Sequence, residues 1–278
     1  MRKYILIVIA TMLLVVSAAQ TQTTAATAAK MRAIPTLYLH GHHGGPRSMD
    51  ALMVSAESSD RAHAVITAVV SRRGKVHLRG KWPRGTRRPL VKIVFKNNRT
   101  LRYHRISTWL HSVLVALQER YGVTHFNVVA HSLGNAAVLF YELRYGRDRT
   151  LPQLNKYAAI AGNFNGIPGR HRGQHRNHIM PGGRPAWIAP QFRHALRRQD
   201  NLDLHNAEVL NIYGNIEDGS HSDGKVLNAS SRALKYLLKG HVRSYHSHEF
   251  LGWRAQHSML RLNPEVATAV DDFIWQEK

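Results

Sequence analysis

Apolar positions along this chain follow two rhythms that succeed one another in turn. Short, nearly continuous apolar runs read as buried strands. They lie at Pro35-Thr36-Leu37-Tyr38-Leu39-His40, over 62–71 and 90–96, at His125-Phe126-Asn127-Val128-Val129-Ala130, and over 157–161, 208–213 and 242–248. Between them, segments with helical spacing or helix-forming composition cover 47–57, 106–121, 135–143, the neighbourhood of 190–198, 229–238 and 264–275. The clearest is 106–121, where Ile106, Trp109, Leu110, Val113, Leu114 and Leu117 fall on one face and predict a core-facing helix. Strands alternating with helices predict an α/β fold: a mostly parallel sheet with helices on both faces. No internal repeat, heptad or linker breaks 30–278, so a single domain is expected there.

Residues 1–29 stand outside that pattern. Arg2 and Lys3 precede an apolar stretch over 4–18, and Gln/Thr/Ala-rich sequence runs on to Ala29. A basic start, a short apolar middle and a small-residue exit are the parts of a secretory signal, with Val16-Ser17-Ala18 as a cleavage site; the alternative is an uncleaved N-terminal anchor. The expectation is a secreted or cell-surface protein. The chain has no cysteine, which excludes a thiol nucleophile, a thiolate zinc site and an iron–sulfur cluster.

Charge sharpens the picture. The sequence has 39 Lys and Arg against 17 Asp and Glu, a formal net charge of +22. No acidic residue occurs between Asp60 and Glu119, or between Asp148 and Asp200. Such a surface attracts polyanions. Outside a cell these are anionic wall polymers and lipid headgroups, and electrostatic association with either is expected. Neither a recognition-helix motif nor an aromatic stacking signature accompanies the charge, so no specific nucleic acid is expected.

The chemistry centres on Ala130-His131-Ser132-Leu133-Gly134, between an apolar strand and the helix-forming run 135–143. A serine on a tight strand-to-helix turn, flanked by small residues, has the form of a nucleophile elbow; the usual Gly-x-Ser-x-Gly has Ala130 at its first position. Serine needs a histidine to take its proton and an acid to orient that histidine. The elbow resembles that of α/β-hydrolases, whose chain order serine, acid, histidine implies the acid in the loop after a late strand, here 208–213, and the histidine before the last helix. Asp223 is the first candidate for the acid and Asp218 the alternative. His257, just before the last helix, is the expected base. Leu133 follows the serine and supplies one N–H for an oxyanion hole. Acyl transfer by these groups requires no cofactor.

Several segments carry family resemblances. Asp223-Gly224-Lys225-Val226, leading into Ala229-Ser230-Ser231, is similar to the acid loop of bacterial triacylglycerol lipases. His40-Gly41-His42-His43-Gly44-Gly45 resembles the His-Gly-x loop of lipases and esterases, which implies the N–H of His42 as the second oxyanion donor. Read without that resemblance, the segment is a flexible glycine loop or a histidine metal site at His40, His42 and His43, for which adjacent residues on a turn converge poorly. The order serine, acid, histidine across 31–278 resembles the α/β-hydrolase superfamily. Ala161-Gly162-Asn163-Phe164-Asn165-Gly166, Asn228-Ala229-Ser230-Ser231 and Ala255-Gln256-His257-Ser258 resemble the Gram-positive cell-surface hydrolases of domain of unknown function family 915. That resemblance implies the fold and a serine-hydrolase site, and it names no substrate.

The expectation is an exported carboxylic-ester hydrolase acting on a small-molecule or lipid ester. An amidase or acyltransferase would use the same residues. The rival is a basic surface protein that binds anionic wall polymers or lipids on a hydrolase scaffold. The Gly- and Pro-rich loop 163–187 lies where lipases carry a lid, and Ile179, Met180, Trp187 and Ile188 are its candidate apolar face.

Overall fold

The computed structural model describes residues 33–58, 62–168 and 176–275. The signal-like segment 1–29 lies outside the described residues, as do Arg170, His171, Arg172 and His175 of the second acid-free stretch. Eight strands form one sheet: β1 (Thr36–Leu39), β2 (His63–Val70), β3 (Val76–Gly80), β4 (Pro89–Phe95), β5 (His125–His131), β6 (Gln153–Ile160), β7 (Leu204–Asn215) and β8 (Val242–Leu251). Their order is β3-β2-β4-β1-β5-β6-β7-β8, and every pair is parallel except β2 with β3. Among the described residues six helices accompany them: α1 (Asp50–Ser58), α2 (Tyr103–Tyr121), α3 (Gly134–Tyr145), α4 (Pro190–Leu196), α5 (Asn228–Leu238) and, after the last strand, α6 (Pro264–Trp275).

Strand periodicity divides the sheet between two cores. Leu37 and Leu39 of β1, Phe126, Val128 and Ala130 of β5, and Val209 of β7 face a large cluster with α2, α3, α4 and α5. Their alternating neighbours Tyr38, Val129, Leu210 and Ile212 face a smaller cluster with α1 and α6. Burial on both faces is why these strands read as continuous apolar runs. The α2 stripe foreseen from spacing is buried throughout, each residue contributing on the order of 1.5–3 kcal/mol. The helix stops at Gly122, whose φ of 67° and N–H bond to Gln118 O close its last turn.

Strand β3 is the element that periodicity missed. It sits within the basic stretch at the sheet edge, half exposed, and only Val76 and Leu78 pack toward the core. Its sequence is polar because an edge strand has one neighbour and little to bury.

The sheet order places the site. From β4 the chain crosses over β1 to reach β5, so the loops after β1 and β5 diverge at the carboxyl ends of two adjacent parallel strands. That crevice is where open parallel sheets bind ligands. The β1 loop carries Gly41 and His42, and the β5 turn carries Ser132.

Candidate active site

Ser132 takes φ 53°, a left-handed conformation that costs a non-glycine residue on the order of 1–3 kcal/mol. The turn is held by bonds on both sides. Ser132 N–H donates to Ile160 O at 2.9 Å, and the Asn135 side-chain amide donates to Ser132 O and Ile160 O, each at 3.0 Å. Tyr157 donates its hydroxyl proton to Asn135 Oδ1 at 2.8 Å, which fixes the amide's orientation. Asn135 and Tyr157 are therefore the supports of the elbow, and no motif singled them out.

The same geometry explains the altered elbow pattern. Ala130 is fully buried and its methyl faces the larger core, so the side chain is accommodated there. Gly134 has no such freedom, because a Cβ on it would lie 2.8 Å from Leu39 O and 2.9 Å from His40 O. A Cβ on Gly41 would approach Ser132 Cβ to 2.7 Å. The β1 loop and the serine turn can sit this close only because Gly41 and Gly134 lack side chains.

The structure brings Ser132, His257 and Asp223 into one hydrogen-bonded chain. Ser132 Oγ lies 2.9 Å from His257 Nε2, and His257 Nδ1 lies 2.7 Å from Asp223 Oδ2. Both His257 and Asp223 are buried. The other carboxylate oxygen, Asp223 Oδ1, accepts the N–H groups of Lys225 at 2.9 Å and Val226 at 2.7 Å. Gly224, at φ 82°, lets the backbone double back to make those bonds. A further bond from His257 N–H to Asp223 O at 2.8 Å ties the two loops together. Asp218 does not reach the histidine: it is exposed, and its Oδ1 accepts from the N–H and hydroxyl of Ser220. Those bonds hold its carboxyl below the usual carboxylate range.

Two histidines beside the chain act through the backbone. His131 Nε2 donates to His257 O at 2.8 Å. Burial, then the neighbouring His257, pushes the His131 imidazole down to about 3, so it is neutral and its donating nitrogen is defined. The ring nitrogens of His40 are occupied by Gly41 O and by the Phe95 N–H, and burial lowers its imidazole too. His40 anchors the glycine loop from below and does not face a ligand. Among the described residues no cluster of three His, Asp or Glu could hold a metal ion.

The glycine loop is stitched to the segment after β4. His43 N–H donates to Asn98 O, Asn98 Nδ2 donates to Gly44 O, and His42 Nε2 lies 3.1 Å from Arg99 O. His42 and Leu133 both line a cleft of about 390 Å³ over Ser132 and His257. The Leu133 N–H enters no backbone hydrogen bond among the described residues.

The loop over 163–187 contributes differently from its sequence reading. Asn163 and Ile167 line the cleft. Ile179 and Met180 instead line a separate hollow beside Tyr213 and Tyr245, while Ile188 is buried and Trp187 packs against the larger core. An apolar side chain in a loop can serve core or cleft, and only the loop's path decides.

Comparison with known proteins agrees with the fold. The chain superposes on the product of gene lin2722 from Listeria innocua with a TM-score of 0.81 and 27% identity, covering 89% of this chain and 96% of that one. It superposes on a protein from Lactobacillus plantarum WCFS1 described as a cell surface hydrolase with a TM-score of 0.73 and 20% identity, covering 89% and 94%. No curated protein matches the sequence. The model of the family described as alpha/beta hydrolase of unknown function (DUF915) matches residues 23–277, nearly the whole length, and the chain belongs to that family.

Proposed function

We propose that this α/β-hydrolase is a serine hydrolase that cleaves carboxylic esters at Ser132. The observation that carries the reading is the run from buried Asp223 and His257 to Ser132, joined at 2.7 and 2.9 Å and ending on a half-buried serine held at φ 53°. Ser132 Oγ attacks the ester carbonyl as its proton passes to His257 Nε2. Asp223 accepts from His257 Nδ1–H, which holds the ring in the productive tautomer and stabilises its charged form. The N–H groups of His42 and Leu133 receive the negative oxygen of the tetrahedral intermediate. His257 then returns the proton to the leaving alcohol, and water releases the acyl group by the same steps in reverse order. His131 and Asn135 position the base and the nucleophile.

The cell surface is the proposed location. The signal-like N-terminus and the description of the Lactobacillus plantarum relative both support it. The test of the reaction is labelling of the full-length protein by a fluorophosphonate, beside Ser132→Ala and His257→Ala. Labelling is expected in the wild type and absent from both variants; a folded wild type that never labels sinks the reading.

A further inference from the structure

The cleft over Ser132 does not end at the reacting atoms. Leu101, Asn163 and Ile167 line both the cleft and an adjoining cavity of about 850 Å³ among residues of α2, α3 and α4. The inner wall is aromatic. Trp109 is buried in the core side, and Tyr103 meets Phe140 edge to face at 5.1 Å. The mouth is cationic. Arg102 and Arg105 are exposed and have no acidic partner among the described residues. Arg144 spans the cavity from α3, donating to His104 O, Ser107 Oγ and Thr108 Oγ1 of α2.

Among the described residues neither the cleft nor the cavity has an Asp or Glu in its lining. The acid-free stretches of the sequence explain this. Most of the lining comes from 101–109 in the first stretch and 163–167 and 191–194 in the second. Separated in sequence by the serine turn, the two stretches fold against the same space. A low-dielectric wall under unpaired cations focuses a positive potential there.

We infer that this cavity is the substrate-selecting subsite and that it takes an anionic ester: an apolar arm attached to the ester and tipped by a carboxylate or phosphate. The apolar arm lies along Tyr103, Phe140 and Ile167, and the anion meets Arg102 and Arg105 at the mouth. The inference rests on Ser132 being the reacting group, but the subsite itself can be tested without turnover.

The first measurement is binding to full-length Ser132→Ala by calorimetry, comparing the monomethyl ester of octanedioic acid with its dimethyl ester. The two differ only in the terminal carboxylate. The anionic ligand is expected to bind about tenfold more tightly, the effect of two exposed charge pairs, and the preference shrinks at high ionic strength. Arg102→Gln with Arg105→Gln brings the ratio near one, and Arg105→Glu lowers it further. Equal affinity for the two ligands, or a preference that the arginine substitutions leave untouched, overturns the inference.

Turnover on the wild type then assigns the arm. A preference for the p-nitrophenyl ester of octanedioic acid over p-nitrophenyl octanoate puts the anion on the acyl side. A preference for 4-carboxyphenyl octanoate over phenyl octanoate puts it on the leaving side. Release of fatty acid from phosphatidylglycerol vesicles in preference to phosphatidylcholine vesicles identifies a lipid headgroup as its source, and cleavage of the soluble esters alone identifies a soluble substrate. Anion-selective binding with neither turnover nor fluorophosphonate labelling keeps the subsite and removes the hydrolase reading.

Discussion

The serine–histidine–aspartate chain and the cavity beside it are built on opposite principles. In the first, polar groups are few, mostly buried and met on more than one side: Asp223 has two backbone donors besides His257, and Ser132 is braced by Asn135 and Ile160. In the second, Arg102 and Arg105 are exposed and open toward solvent. A buried polar group without partners costs stability, so the reacting groups are over-determined. An exposed cation costs little when unpaired and can be held ready for a ligand. On the proposed reading, geometry is concentrated where bonds change, and charge where a substrate is chosen.

Removing the nucleophile breaks the comparison most completely. Ser132→Ala is expected to abolish fluorophosphonate labelling and lower ester turnover by at least ~10³-fold, while anion-selective binding to the cavity survives. Asp223→Asn keeps the shape but favours the wrong histidine tautomer, with an expected loss of ~10²–10⁴-fold in kcat. Asp218→Asn, at a carboxylate bonded only within its own turn, should leave kcat within about twofold of wild type. A result in which Asp218→Asn costs more than Asp223→Asn would reverse the assignment of the acid. Gly41→Ala places a methyl 2.7 Å from Ser132 Cβ and should cost ~10–10²-fold in kcat with less change in KM, read from initial rates on one p-nitrophenyl ester.

A separate effect is expected in stability. Glu142 is the one acid on α3, the helix that also supplies Phe140 and Arg144 to the cavity. Burial pushes its carboxyl up to about 8 from an ordinary 4.5, so near neutrality it is protonated and does not offset the cationic mouth. Because the folded chain holds this proton more tightly than the unfolded chain, stability falls as pH rises from 4.5 through about 8. Glu142→Gln should therefore raise Tm relative to wild type at pH above 8, by the equivalent of a few kcal/mol, and change it little near pH 5. Equal Tm differences at both pH values would refute the buried, protonated carboxyl.

Sequence periodicity located the central strands and all six helices because those elements bury apolar residues in a regular rhythm. It missed β3, which partly buries only Val76 and Leu78, it began β7 late, past polar His205 and Asn206, and it ended β7 and β8 early, before Gly214-Asn215 and before Glu249-Phe250-Leu251. The serine, acid and histidine were readable as candidates because each lies in a turn with its own chemistry. That Asp223 and not Asp218 meets His257 depends on how the loop doubles back at Gly224. Gly214 went unremarked as a constraint, yet a Cβ on it would fall 1.9 Å from Ala255 O, in the turn that presents His257. No spacing rule reveals a close approach between segments so far apart in the chain.

By itself the sequence determined the alternation of strands and helices, the serine on its strand-to-helix turn, the supply of acids and histidines after it, and two long stretches without a carboxylate. These are local properties: side-chain periodicity, turn chemistry and composition are set by neighbours along the chain. Only the tertiary structure decided which acid meets the histidine, that His40 and His131 act as buried braces, and that the acid-free stretches line one cavity beside Ser132. Those outcomes depend on burial and on distances between segments brought together by the sheet order, and neither exists until the sheet is assembled.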